Sequence, residues 1–95
     1  MTNSRGDPVT KQSIVDWLKR YISNLTEIGV SEIDVHSAFD RYGFDSYQGV
    51  VMTFELGEWL GVDIDPSDTF DHPSIAELAD FLTSDPRIQA ALSRN

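Results

Sequence analysis

The sequence predicts an all-helical bundle with long loops, and three observations carry that prediction. Apolar residues recur at helical spacing in separate stretches, Ser, Thr and Asp stand ahead of those stretches as caps, and no stretch keeps the period-two alternation of a strand. Ninety-five residues, 40% of them hydrophobic and 11% aromatic, suffice for one core and not for two. A domain of this size buries only roughly 60% of the surface its unfolded chain exposes, so modest stability is expected.

Met1 to Val9 is polar and punctuated by Gly6 and Pro8, which reads as a flexible leader over 1–9. Thr10 then serves as N-cap for a helix over Lys11 to Asn24. Its stripe is Ile14, Leu18, Tyr21, Ile22 and Leu25, and Lys19 and Arg20 fall in the last turns, where the helix dipole favours cations. Ile28 to His36 suits an ordered loop that drops Val30, Ile33 and Val35 into the core, and Ser37 to Tyr42 has room for one helical turn.

Gly43 breaks the loop and Asp45 caps the next helix, with Gln48 three residues on completing a capping-box-like pattern and Gly61 as the natural stop. At 100° per residue, Tyr47, Val50, Val51 and Phe54 fall on one side, and Met52, Leu56, Trp59 and Leu60 on the other. A helix apolar on two faces is either central to a bundle or keeps one stripe for partners. Val62 to Phe70 reads as a loop with a short turn. Ser74 and Glu77 form an S-x-x-E box ahead of a helix of about two turns with the stripe Ile75, Leu78, Ala79 and Leu82. Asp85-Pro86 opens a short tail helix with Ile88, Ala91 and Leu92. The domain is therefore placed at 10–84, and 85–95 is a short C-terminal helix or linker.

Charge narrows the function. Seven Lys and Arg against 16 Asp and Glu give a net charge of -9, which argues against nucleic acid as a partner. From Tyr42 to Pro86 there are ten acids and no Lys or Arg, a one-signed half that draws basic partner surfaces or simply solvates the protein. No Cys is present, which removes disulfides, thiolate zinc sites and a cysteine nucleophile. No apolar run approaches the roughly 18 residues of a membrane span, and the N-terminus is too polar for a signal peptide, so a cytoplasmic protein is expected.

Little here suits catalysis. His36 and His72 lie in loops without metal-ligand spacing, so no metal site is expected. Asp63 to Ser74 has oxygen side chains where a calcium loop begins, but Pro66, Asp68 and Ser74 replace residues such a loop requires. Ser46 with His36 or His72 as base would make a hydrolase, but the G-x-S-x-G elbow and its strand are missing. For Ser46 two readings stay open: a residue of a capped helix start, or a hydroxyl carrying a phosphodiester where the positive helix end favours its charge.

The residues around Ser46 add a resemblance. Tyr42-Gly43-Phe44-Asp45-Ser46 resembles the G-x-D-S signature of acyl carrier proteins, whose Ser takes a 4'-phosphopantetheine arm from coenzyme A. Thr69-Phe70-Asp71-His72-Pro73-Ser74-Ile75-Ala76-Glu77-Leu78-Ala79 is similar to the F-D-H-P-T/S-I-x-x-L-A stretch of carrier domains in modular polyketide synthases. The resemblance covers roughly Thr10 to Leu82. A narrower likeness, through Arg41 to Ser46, Glu55 and Glu58-Trp59-Leu60-Gly61, is to carriers loaded by fatty acyl-AMP ligases. Phe44-Asp45 favours the acyl branch over the peptidyl one, where Gly-Gly-x-Ser is common.

This resemblance implies a four-helix acyl-carrier-like bundle with a long first loop and a short third helix. It implies a non-catalytic carrier, with the arm on Ser46 and Asp45 as cap and motif residue that helps hold the transferase's cation. The implied partners are a phosphopantetheinyl transferase, an acyl-loading enzyme (acyl-AMP ligase or acyltransferase) and a ketosynthase, in polyketide or related lipid biosynthesis, with the carrier a monomer. Docking residues carried over are Tyr47, Val50, Val51, Phe54, Glu55 and Glu58. Two positions depart from the family: Tyr47 stands where Leu is usual, and Val51 where an acid is common, which makes the outer stripe unusually apolar. His72 is expected to shape its loop. The alternatives are a cofactor-free acidic helical interaction module and, within the family, a peptidyl carrier.

Overall fold

Thr10 and Ser13 cap each other's backbone N–H at the start of α1 (Lys11–Thr26), a capping box built from two hydroxyls. The structure, a computed structural model, describes residues 9–92, with side chains to residue 90. Met1 to Pro8 of the expected leader, and the Ala91 and Leu92 side chains, lie outside the described ones, whereas Val9 packs against the core.

Ile14, Leu18 and Ile22 of α1 are buried as expected, and Tyr21 is half-buried. The helix outruns its expected end at Asn24. The Thr26 hydroxyl bonds to Ile22 O at 2.7 Å, and Glu27, in the left-handed region at φ 65°, donates its N–H to Ser23 O at 2.8 Å. That extension moves Lys19 and Arg20 out of the last turn, so their expected dipole role lapses, and it leaves Leu25 exposed on the last turn.

The connection to the next helix is ordered by two 3₁₀ turns, Val30–Glu32 and Phe39–Tyr42. Ile33 and Phe39 are buried and Val35 packs on the core, but Val30, expected inside, is exposed. The Tyr42 hydroxyl accepts from Asp34 N and donates to Asp34 O, closing the loop on itself. Phe39 N donates to Pro73 O at 2.7 Å and Ala76 N to Val35 O at 2.9 Å, around an isolated antiparallel bridge between Ala38 and Ser74.

Helix α2 (Ser46–Leu60) ends at Gly61 in the left-handed region, φ 77°. A short α3 (Ser67–Asp71) supplies the expected turn; Asp65 accepts from both the N–H and the hydroxyl of Ser67 at 2.9 Å, which spends that carboxylate on a local turn. Helix α4 (Ile75–Ser84) runs ten residues, longer than expected, capped by Ser74 and halted at extended Asp85 before Pro86. Its stripe of Ile75, Leu78, Ala79 and Leu82 is buried against α1 and α2 residues in one core. Helix α5 (Pro86–Leu92) packs on α4 through the buried Ile88, with Asp85 accepting from Arg87 N. No helix of the described residues is long and apolar enough to cross a membrane.

Candidate functional site

The turn before α2 is built to present one hydroxyl. Gly43 takes φ 82°, a conformation that favours a residue without Cβ, and reverses the chain after the 3₁₀ turn. Phe44 then drops into the core, with its ring 6.2 Å from Phe39 and edge-on to Tyr21 at 6.3 Å. With Phe44 anchored inward, the extended Asp45 and the first helical residue, Ser46, face outward and are exposed. Asp45 Oδ1 accepts from Gln48 N at 2.9 Å, as expected of the cap, but the box is half made: Gln48 supplies its backbone N–H alone. The α2 N-terminus thus offers a partly positive end beside an exposed Ser hydroxyl.

Beside Ser46 opens a cavity of about 200 Å³. Phe39, Phe44, Phe70 and Pro73 line it with apolar side chains, Gly49 and Thr69 line it where α2 meets α3, and Asp40, Asp45 and Ser46 line it as well. Neither His36 nor His72 lines it; His72 instead stacks on Phe81 at 4.2 Å, nearly parallel. No group of three His, Asp or Glu side chains able to hold a metal occurs among the described residues.

The two faces expected of α2 are partly redrawn. Met52, Leu56 and Leu60 are buried, but Trp59, expected with them, is 40% exposed, because its ring lies stacked on Trp17 at 5.8 Å on the rim of the core. On the outer side Tyr47 is 74% and Phe54 66% exposed, Val50 is exposed, and Val51 is half-buried. Glu55 and Glu58 are exposed nearby. Glu55 accepts a long bond from Tyr21 OH, at 3.4 Å; burial first, and then the Glu55 charge and bond, hold the Tyr21 phenol above its usual range.

A third face of α2 went unseen in the sequence. Gly49, Thr53 and Gly57, one turn apart, are buried. Thr53 Oγ1 donates to Gly49 O at 2.8 Å, so the 2.6 Å contact with Thr69 Oγ1 is donated by Thr69, and this buried pair joins α3 to α2. At Gly57 a Cβ would lie 2.7 Å from Val62 O, so the returning loop needs glycine there. The signal was the G-x-x-x-T-x-x-x-G spacing, which an apolar-only wheel overlooks.

The family profile described as "Phosphopantetheine attachment site" matches residues 16–82. The chain is 33% identical over 76 residues to the acyl carrier protein TtuC of Teredinibacter turnerae, covering 80% of this chain and 87% of that protein. It is 33% identical over 78 residues to polyketide synthase PksL of Bacillus subtilis, covering 82% of this chain but 2% of that synthase. Among solved structures, an acyl carrier protein of Anabaena with a variant phosphopantetheinylation-site sequence superposes with a TM-score of 0.76 at 28% identity, covering 81% of this chain and 88% of that one.

Proposed function

The chain belongs to the phosphopantetheine-attachment-site family, and from that membership we propose that Ser46 Oγ is the atom that carries the arm. It is a carrier domain of the acyl or peptidyl kind found in polyketide synthases, a family that bears covalently attached 4'-phosphopantetheine. The observation that carries the Ser46 assignment is the exposed hydroxyl at the first position of α2, held out by the Gly43 turn and the Phe44 anchor and lying on an apolar cavity.

The residues present fit the arm. The α2 N-terminus would take the phosphodiester charge, and the Phe70 and Pro73 walls offer an apolar surface to the chain beyond it. When attached, the arm supplies a thiol that holds acyl groups as thioesters. A transferase would move the phosphopantetheinyl group of coenzyme A to Ser46: an Oγ–P bond forms, the P–O bond to adenosine bisphosphate breaks, and the hydroxyl proton passes to the transferase. Asp45, whose carboxylate is already exposed beside Ser46, would help hold the cation that offsets the phosphate charge there.

On this reading the protein has no catalysis of its own. Tethering raises the effective concentration of the cargo at each neighbouring active site. The exposed stripe of Tyr47, Val50 and Phe54, with Glu55 and Glu58 beside it, is the docking face for the transferase, an acyl-AMP ligase or acyltransferase, and a ketosynthase. Val51 contributes less, being half-buried. Phe44-Asp45 before the serine favours acyl over peptidyl cargo. A monomer over 10–84 with α5 appended, working in the cytoplasm where coenzyme A is at hand, completes the reading.

Fluorescent coenzyme A, with a broad-specificity transferase, tests it on the protein and on Ser46→Ala. Label on the wild type alone supports the assignment. Equal label on a folded Ser46→Ala, or none on either beside an active control carrier, overturns it.

A further inference from the structure

An open groove at the α3–α4 junction shares no residue with the cavity beside Ser46. Pro73 lines that cavity, whereas its neighbour His72 lines the groove together with Glu77, Asp80, Phe81 and Ser84 of α4. The groove has a volume of about 380 Å³. Its four α4 residues recur at intervals of three and four, so they lie along one face of the helix, a strip of about 10 Å or two turns. The His72 and Phe81 rings stack 4.2 Å apart and 17° from parallel, and both are half-buried. They give the groove an aromatic floor that still meets water, and an apolar side chain laid over it gains the transfer energy that folding left unused.

The edges of this floor are acidic. Glu77 and Asp80 are exposed, and so is Asp71 beside His72 in the chain. Lys11 of α1 forms an ion pair with Asp80, which shows the kind of group that this edge accepts. Glu77 Oε1 accepts from the Ser74 hydroxyl at 3.2 Å, and Oε2 has no hydrogen bond among the described residues. From Tyr42 to Leu92 the only Lys or Arg is Arg87, and Asp85 holds it at 3.1 Å. No Lys or Arg lines the groove.

We propose that this groove docks a short amphipathic helix of a partner protein, with an apolar side chain over Phe81 and His72 and an Arg or Lys against Glu77 and Asp80. Both the opposite charge and the length of the strip favour that occupant, which is a helix laid along α4 for two turns. Exposed ion pairs are weak one by one, so the aromatic floor supplies the affinity and the acids set the orientation. The inference goes beyond the carrier reading and does not depend on Ser46. Because the groove includes neither Ser46 nor Tyr47, Val50 or Phe54, a partner seated there leaves the α2 face open, and the protein can be held on one side while it is loaded on the other.

The test uses three helix-forming peptides of about 15 residues at about 0.15 M salt: one with Leu and Arg on opposite faces, one with Ala in place of Leu, and one with Glu in place of Arg. The Leu–Arg peptide should move the amide NMR signals of His72, Glu77, Phe81 and Ser84 and leave those of Val50 and Phe54 in place. It should bind about tenfold more tightly than the Ala–Arg peptide, and the Leu–Glu peptide should not bind. Glu77→Gln keeps a side chain able to complete the Ser74 capping box and should weaken binding about two- to fivefold. Glu32→Gln, the same change of charge on an exposed residue outside the groove, should not. Phe81→Leu keeps an apolar group on the core and should weaken binding about two- to tenfold. No binding of the Leu–Arg peptide, shifts at Val50 and Phe54 in place of the groove, equal binding of the Leu–Arg and Ala–Arg peptides, or equal losses in Glu77→Gln and Glu32→Gln would overturn the proposal. Fluorescent coenzyme A labelling under saturating peptide should keep its rate. Labelling that stops under the peptide would overturn the separation of the two faces, whereas a protein that takes no label without peptide would overturn the Ser46 assignment alone.

Discussion

Two long faces of α2 carry similar apolar side chains, yet Met52, Leu56 and Leu60 on one are buried while Tyr47, Val50 and Phe54 on the other are exposed. Burial of the first set against α1 and α4 residues supplies the stability of the fold. The second set adds almost nothing to it, because side chains left in water gain no transfer energy on folding. Large exposed apolar residues on one helix face, beside two acids, are what a docking surface needs. On the proposed reading a single helix therefore divides between holding the fold and meeting partners, with Ser46 at its start.

Substitutions that exchange the two faces sharpen this contrast. The largest effect is expected for Leu56→Ala, which opens a cavity in the core and should cost about 2–5 kcal/mol in a denaturant melt. Gly57→Ala comes next, since the added Cβ meets backbone oxygen at 2.7 Å; despite the better helix propensity of alanine, a loss of about 1–3 kcal/mol is expected. Asp45→Ala removes the bond to Gln48 N and should cost about 1 kcal/mol. Phe54→Ala should change stability by no more than about 0.5 kcal/mol yet slow loading by the transferase. A Phe54→Ala loss as large as that of Leu56→Ala would show that the outer face is structural and break the comparison.

Titration gives a smaller effect at the helix starts. Asp65 and Asp85 are held below the usual carboxylate range, Asp65 first by the Ser67 N–H and Asp85 first by the Arg87 side chain. Their folded pKa values are depressed, so the stabilisation is present above the unfolded value, about 3.9, and is lost as pH falls through the folded values. Amide protection at Ser67 and Arg87, relative to the intrinsic exchange rate at each pH, should therefore fall only below about pH 4. Tyr21 runs the other way. Its raised pKa means that its contribution holds below about pH 10 and is lost as pH rises through the folded value, which phenolate absorbance would follow.

Much of the fold is legible in the sequence. Thr10, Asp45 and Ser74 as caps, Gly61 as a stop and the stripe of α4 are local signals, each set by a hydrogen bond or a period within one helix. What failed depends on neighbours distant in sequence. Leu25 and Val30 have the right character and spacing for burial, but lie where the core ends. Trp59 is drawn to the rim by Trp17, a residue 42 positions earlier in the chain. Gly49, Thr53 and Gly57 gain meaning only from Thr69, Phe70 and the Val62 carbonyl packed on them. Ser46 is singled out by its motif alone, whereas the cavity beside it is assembled from three segments and could not be read from any one of them.

The proposed arm sits on one hydroxyl at the outward-facing start of α2. Intact mass with fragment mapping, after incubation with coenzyme A, magnesium and a transferase, tests it most directly. One added phosphopantetheinyl group is expected on the fragment holding Ser46, and none on Ser46→Ala, an exposed non-cap substitution that should change stability by no more than about 0.5 kcal/mol. An added group mapped to any other residue, or no addition to a folded protein beside an active control, would contradict it.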